Sequence, residues 1–176
     1  MKKLTTKQIL QQNKKRMAPS KMQQTVVILH DIRSMHNVGA AFRCADAFGI
    51  KKILLSGVTP APPRPEITKT AIGAEEFVDW EQIDDFENQV NRLTEQKYTL
   101  VGLEQTTNSV LLPDYKLPTD KKMCLVFGNE VTGINEEILP FINDFVEIPQ
   151  YGNKHSLNVS VTVGIGLYGF LTKSWK

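Results

Sequence analysis

Short apolar runs rich in Val, Ile and Leu constrain this chain more than any other feature. Thr25-Val-Val-Ile-Leu-His30 is continuous and β-branched, as expected of a strand buried on both faces. Lys52–Gly57, Tyr98–Leu103, Met123–Phe127 and the shorter Phe145–Ile148 repeat the pattern. Segments with helical spacing lie between them. Val38 to Phe48 reads as a helix ended by Gly49. Glu81–Gln96 carries Ile83, Phe86, Val90 and Leu93 at the intervals of an amphipathic helix. The stretch holding Pro60, Pro62, Pro63 and Pro65 is expected to be neither helix nor inner strand. Asn158–Leu171 is rich in Val and Thr, which favour strand. Its Val159, Thr162, Val163, Gly166, Leu167 and Phe170 nevertheless share a helical face, so a helix capped by Ser156 or Asn158 is predicted. Strands separated by helices imply an α/β fold with a parallel sheet flanked by helices.

A chain of 176 residues with 41% hydrophobic content suits one globular domain and excludes a disordered one. No apolar run approaches the ~18 residues of a membrane span. The N terminus lacks the apolar stretch of a signal peptide, so a cytoplasmic protein is expected. Cys44 and Cys124 form no C-x-x-C pair and read as reduced, buried thiols.

Charge is unevenly distributed. Lys2, Lys3, Lys7, Lys14, Lys15, Arg16 and Lys21 precede the first acid, leaving 14 cations against 19 acids in the rest of the chain. A basic arm over residues 1–24, in which Ile9 and Leu10 could seed a short helix, stands before an acidic body. The arm suits phosphate groups, or is simply solvated.

Three segments at strand ends could carry chemistry, because ligands of open α/β sheets bind beyond the carboxyl ends of the strands. The first is His30-Asp-Ile-Arg-Ser-Met-His-Asn-Val-Gly-Ala-Ala-Phe-Arg43. Asn37 is placed to cap the helix. Gly39 and Arg43, one turn apart, would leave room above the guanidinium for a ligand or another chain, unless Arg43 pairs with Asp46. The second is Gly128-Asn-Glu-Val-Thr-Gly133, whose glycines allow positive φ or close approach to a ligand. The third runs from Ile148-Pro149 to Ser156-Leu-Asn-Val-Ser160. Taken singly, these segments also read as caps and turns. Gly164-Ile-Gly-Leu-Tyr-Gly169 matches G-x-G-x-x-G but lies in the last helix with no room for a βαβ unit, so it is rejected as a nucleotide site. Ser160 and Gly164 are instead expected to let that helix approach another closely. His30, His36 and His155 lack ligand spacing, and no metal site is expected.

Together and in order, the three segments resemble the motifs of the SpoU/TrmH RNA ribose 2′-O-methyltransferases of the SPOUT superfamily, over about residues 25–172. Gly102-Leu-Glu-Gln105 and Lys69-Thr-Ala-Ile-Gly-Ala74 are similar to further segments of that family. The resemblance implies a methyltransferase domain over 25–176 whose C-terminal part threads a deep trefoil knot, an exception to the usual rule. It implies S-adenosylmethionine bent in the knot, held by Gly128, Ile148 and Leu157 with Leu103 nearby. It also implies a homodimer whose active site is completed across the interface. It ties Arg43 to activation of the ribose hydroxyl, as base or as positioning charge, with Asn37, Glu130, Ser156 and Asn158 orienting Arg43, RNA and cofactor. RNA is the implied partner, tRNA before ribosomal RNA, gripped by Lys14, Lys15, Arg16 and Arg33. A non-catalytic RNA-binding or assembly factor, a small-molecule enzyme using a nucleotide cofactor, and a base methyltransferase are the alternatives.

Overall fold

The computed structural model describes residues 1–175. Two short helices, α1 (Thr6–Asn13) and α2 (Ser20–Gln23), precede an alternating α/β body: β1 (Val26–His30), α3 (Met35–Phe48), β2 (Lys52–Ser56), α4 (Pro65–Ala71), β3 (Asp79–Ile83), α5 (Phe86–Glu95) and β4 (Tyr98–Leu103). The chain continues through β5 (Val110–Leu111), β6 (Lys122–Phe127), β7 (Asp144–Glu147) and α6 (Val159–Ser174). The strands form one parallel sheet in the order β3-β2-β1-β6-β4-β7-β5.

Parallel strands covered on both faces must be apolar at nearly every position, and all of β1 and β4 is buried. Alternate residues feed two cores. Val27, Leu29, Leu55, Leu125 and Phe127 meet Phe42 of α3 and Leu167 and Phe170 of α6 on one face. Val26, Ile28, Leu54, Leu100 and Val126 meet Val90 and Leu93 of α5 on the other.

Several boundaries differ from the sequence reading. The expected helix over 81–96 starts only at Phe86, where the Asp85 side chain accepts from the Asn88 N–H at 3.0 Å. The preceding residues form the edge strand β3, which is mostly exposed and therefore carries no apolar run. Its Glu81 pairs with Lys52 of β2 at 2.5 Å. The proline stretch ends in a helix, because Pro65 occupies the first position of α4, where a missing N–H costs nothing. Helix α3 begins at Met35 and its cap is Ser34, not Asn37. The room expected at Gly39 is filled by α4: an added Cβ would lie 2.2 Å from the Ile67 carbonyl and the Thr70 hydroxyl. The Val/Thr-rich last segment is helical, since Val163, Leu167 and Phe170 must reach one core. There Gly164 faces Cys44 of α3, to which a Cβ would lie 3.5 Å away.

Cys44 and Cys124 are free thiols, and burial pushes the Cys124 thiol up. Among the described residues no helix is long and apolar enough to cross a membrane, and no group of three His, Cys, Asp or Glu side chains could hold a metal ion.

Candidate active site

The loops leaving β1, β6, β4 and β7 emerge along one edge of the sheet, and the order of strands makes them neighbours. The turn after β6 is built by its own side chains. Asn129 Oδ1 accepts from the Val131 and Thr132 N–H groups at 2.8 and 3.2 Å, and its main chain exchanges two hydrogen bonds with Gly133. Asn129 Nδ2 donates to the Asp31 carbonyl at 2.7 Å, tying the turn to the loop after β1. Both glycines are required, though by the chain's own packing. A Cβ on Gly128 would lie 2.3 Å from the Gly133 main chain. Gly133 has φ +69°, and a Cβ there would lie 2.1 Å from Glu104 Oε2. That carboxylate accepts from the Ile134 N–H at 2.9 Å and, through Oε1, from the Gln105 N–H at 2.8 Å.

Glu130 joins the first two motif segments. Its carboxylate accepts from the Arg33 N–H and the Ser34 N–H, each at 3.0 Å, and from Asn37 Nδ2 at 2.9 Å. Burial opposes its ionisation, but the bonds from Arg33, Asn37 and Ser34 outweigh that cost and hold the carboxyl below its ordinary value.

Beyond β4, β6 and β7 opens a cavity of about 520 Å³. The four expected cofactor positions, Leu103, Gly128, Ile148 and Leu157, all line it, as do Glu130 and Ser156. Asn37 lies outside that lining and is linked to it by its bond to Glu130. Asn158 caps α6, its Oδ1 accepting from Ser160 N–H at 2.8 Å and from the Ser160 hydroxyl at 2.6 Å. Arg43 lies elsewhere: it is exposed on α3, outside the cavity, and among the described residues its side chain forms neither an ion pair with Asp46 nor a hydrogen bond. Arg33 is exposed beside Glu130, while Lys14, Lys15 and Arg16 are exposed just after α1, a helix with no buried residue.

Among the described residues the cavity lining contains no Lys or Arg, whereas Glu104, Glu130 and Glu147 all belong to it. Glu104 and Glu147 were not singled out as site residues in the sequence. Both sit at the carboxyl end of a strand, the rule that pointed to the other loops. The apolar Leu103, Phe127, Ile148 and Leu157 and the polar Glu104, Gln105, Thr132 and Ser156 together give a lining that suits a small ligand with an apolar ring and several polar groups. Gln105 Nε2 donates to the His155 carbonyl at 2.8 Å, joining the loop after β4 to the one before α6.

A string of Ser56, His30 and Asp31 lies one strand away. Ser56 Oγ is 3.0 Å from His30 Nδ1, and His30 Nε2 is 3.4 Å from Asp31 Oδ2. Ser56 is 2% exposed and lies outside the cavity, so this string is a structural brace rather than a nucleophile and its base. Burial lowers the His30 pKa, with Asp31 and Glu137 opposing.

Residues 24–168 match the profile of the SpoU rRNA Methylase family. The chain is 32% identical over 152 residues to an uncharacterized tRNA/rRNA methyltransferase of Mycoplasma pneumoniae, covering 86% of this chain and 62% of the relative. It is 26% identical to the tRNA (guanosine(18)-2′-O)-methyltransferase of Borreliella burgdorferi, over 83% of this chain and 65% of that one. The chain thus spans less than two thirds of the length of these relatives. The crystal structure of an AdoMet-bound rRNA methyltransferase from Sinorhizobium meliloti superposes with a TM-score of 0.77 at 26% identity, covering 88% of this chain and 60% of that one. With the second and third motif segments lining one cavity, the first bonded to it through Glu130, and the profile spanning most of the chain, the protein belongs to the SpoU rRNA Methylase family.

Proposed function

We propose that the chain is an S-adenosylmethionine-dependent RNA methyltransferase that modifies a ribose 2′-hydroxyl, of tRNA first and ribosomal RNA second. The observation that carries this reading is the charge of the cavity. Among the described residues, its lining holds three glutamates, Glu104, Glu130 and Glu147, and no Lys or Arg. A polyphosphate cofactor would meet repulsion there, whereas the sulfonium and ammonium groups of S-adenosylmethionine are matched. That contrast disfavours a small-molecule enzyme using a nucleotide cofactor. When bound, S-adenosylmethionine supplies an electrophilic methyl group. Leu103, Gly128, Ile148 and Leu157 hold it in this reading, and the Glu130–Asn37 pair fixes the loop that faces it.

The other half of the chemistry is positioning the hydroxyl. Holding a weak nucleophile in line contributes roughly 7–11 kcal/mol to such a reaction. Arg43 is the residue assigned to this task, and since it lies outside the cavity of its own chain, it acts in the cavity of a second copy. A homodimer also accounts for the exposed Val161, Ile165 and Tyr168 on α6, an apolar stripe beside α3 that is 40–54% exposed. Ser156 and Asn158 orient the segment entering α6. The trefoil knot is part of the same proposal. It is supported by the segment after β4, which bonds to β7 through Leu112 N–H and the Glu147 carbonyl at 2.8 Å. That segment also presses on Gly169 of α6 and accepts from Lys173 Nζ at Pro113. In this reading residues 25–176 are the catalytic domain, and residues 1–24 with Arg33 hold RNA.

The test is equilibrium binding of S-adenosylmethionine and of ATP to the purified chain, followed by methyl transfer to RNA. Tight S-adenosylmethionine binding with no ATP binding supports the reading, and the reverse preference sinks it.

A further inference from the structure

A second pocket opens on the same edge of the sheet, over the carboxyl ends of β2 and β3. Its wall is the segment from Gly57 to Pro65, its far side is Gln82 of β3, and its volume is about 650 Å³. Among the described residues Arg64 is its one charged lining side chain, exposed among Pro60, Pro62, Pro63 and Pro65. The two pockets on this edge therefore carry opposite charge.

The wall belongs to the same unit as the candidate active site. Asp31 Oδ1 accepts from the Val58 N–H at 3.0 Å. Thr59 Oγ1 accepts from the Ile32 N–H at 3.0 Å and donates to the Leu29 carbonyl at 3.0 Å. Gly57, at φ +62°, presses on the Asp31 carboxylate, where a Cβ would lie 1.9 Å from Oδ1. These bonds fix the start of the loop whose Arg33 and Ser34 amides hold Glu130. Only β1 separates β2 from β6, and neighbouring strands lie about 4.8 Å apart, so the pocket is roughly 10–15 Å from the Glu130 turn.

An RNA strand presenting a ribose to the glutamate-lined cavity needs cations for its phosphates outside it. We propose that the proline-walled pocket is a second RNA subsite, taking a nucleotide that flanks the modified one, with its phosphate on Arg64 and its base against the prolines. The inference rests on the RNA methyltransferase reading. Proline side chains lose no rotamer freedom when a base packs on them. Gln82 offers both a donor and an acceptor to a base edge.

The experiment measures binding of end-labelled unmodified tRNA to the full chain by fluorescence anisotropy across a salt series, which needs no methyl transfer. Arg64→Glu is compared with Arg92→Glu, an equal charge change on the exposed side of α5. Arg64→Glu is expected to weaken binding roughly tenfold and to reduce the salt slope by about 1, while Arg92→Glu leaves both unchanged. S-adenosylmethionine affinity stays at the wild-type value in Arg64→Glu. 4-Thiouridine in the RNA is expected to crosslink to the Gly57–Pro65 segment. Equal effects of the two variants, no effect of Arg64→Glu, or crosslinks confined to other segments would overturn the subsite. Absence of methyl transfer by the wild-type chain, with these binding results intact, would instead count against the catalytic reading alone.

Discussion

The Glu130 carboxylate accepts the side-chain amide of Asn37 at 2.9 Å, joining two motif segments 93 positions apart. The same carboxylate caps the Arg33 and Ser34 amides, so one side chain sets the loop after β1 against the turn after β6. Removing the Asn37 amide deletes one charge-assisted bond, which costs about 1.5–3 kcal/mol at most. Displacing the loop by an ångström costs about a hundredfold in rate. Asn37→Ala and Glu130→Ala are therefore expected to lower turnover about a hundredfold while the chain stays folded. A double-mutant cycle in turnover should show strong non-additivity; additive effects would mean the two act separately.

The glycines of the turn after β6 can be separated from a permissive one. Gly133→Ala meets both a positive φ and the Glu104 carboxylate, and Gly128→Ala meets main chain at 2.3 Å. Each is expected to destabilise the fold by about 1–3 kcal/mol and to abolish S-adenosylmethionine binding. Gly152 has nothing within 4 Å of an added Cβ. Gly152→Ala should stay within about 0.5 kcal/mol of wild type in urea unfolding.

Acid should destabilise the protein in two stages. His30 has a pKa below its ordinary 6.5, so the unfolded chain binds its proton more readily than the folded one. Stability is therefore full above about 6.5 and declines as pH falls from there towards the lowered folded value. Glu130, held below its ordinary 4.5, adds a second decline as pH falls past that value. His30→Gln removes the upper stage and leaves the lower. Urea midpoints measured from pH 8 to pH 3 check this, and a flat profile between pH 7 and 5 in wild type would contradict it.

The arm makes a clean separation between stability and binding possible, because α1 buries no residue. Deleting residues 2–16 removes Lys2, Lys3, Lys7, Lys14, Lys15 and Arg16. The melting temperature should not move. The RNA dissociation constant should rise, and the slope of its logarithm against log salt should flatten by about 0.7–0.9 for each phosphate that the arm no longer neutralises. Unchanged RNA binding would leave the arm a solvated terminus.

How much of this was legible in the sequence follows from burial. β1, β2, β4 and β6 lie inside a parallel sheet, and burial on both faces writes them as continuous apolar runs. β3 sits at the edge with Asp79, Trp80 and Gln82 exposed, so its residues merged with the periodicity of α5. α4 was hidden by the prolines before it, although Pro65 itself opens the helix. β5 has two residues and no readable pattern.

Part of the cavity was legible for a topological reason: strand ends of a parallel sheet share one edge, which brings the segments after β6 and β7 together, whereas Leu103, Gly128, Ile148 and Leu157 as cofactor positions came from the family resemblance. The pairing of Asn37 with Glu130 was not, since nothing local links residues so far apart. Nor was the position of Arg43. It follows Asn37 by six residues, about 240° round the helix and ~9 Å along it, which turns it away from the face that meets Glu130.

The most direct test is transfer of labelled methyl from S-adenosylmethionine to purified tRNA and, separately, ribosomal RNA, with products digested to nucleosides. The account predicts a 2′-O-methylnucleoside, foremost from tRNA, that disappears with Arg43→Ala while S-adenosylmethionine binding persists. Label recovered only on a base, or full transfer by Arg43→Ala, would contradict it.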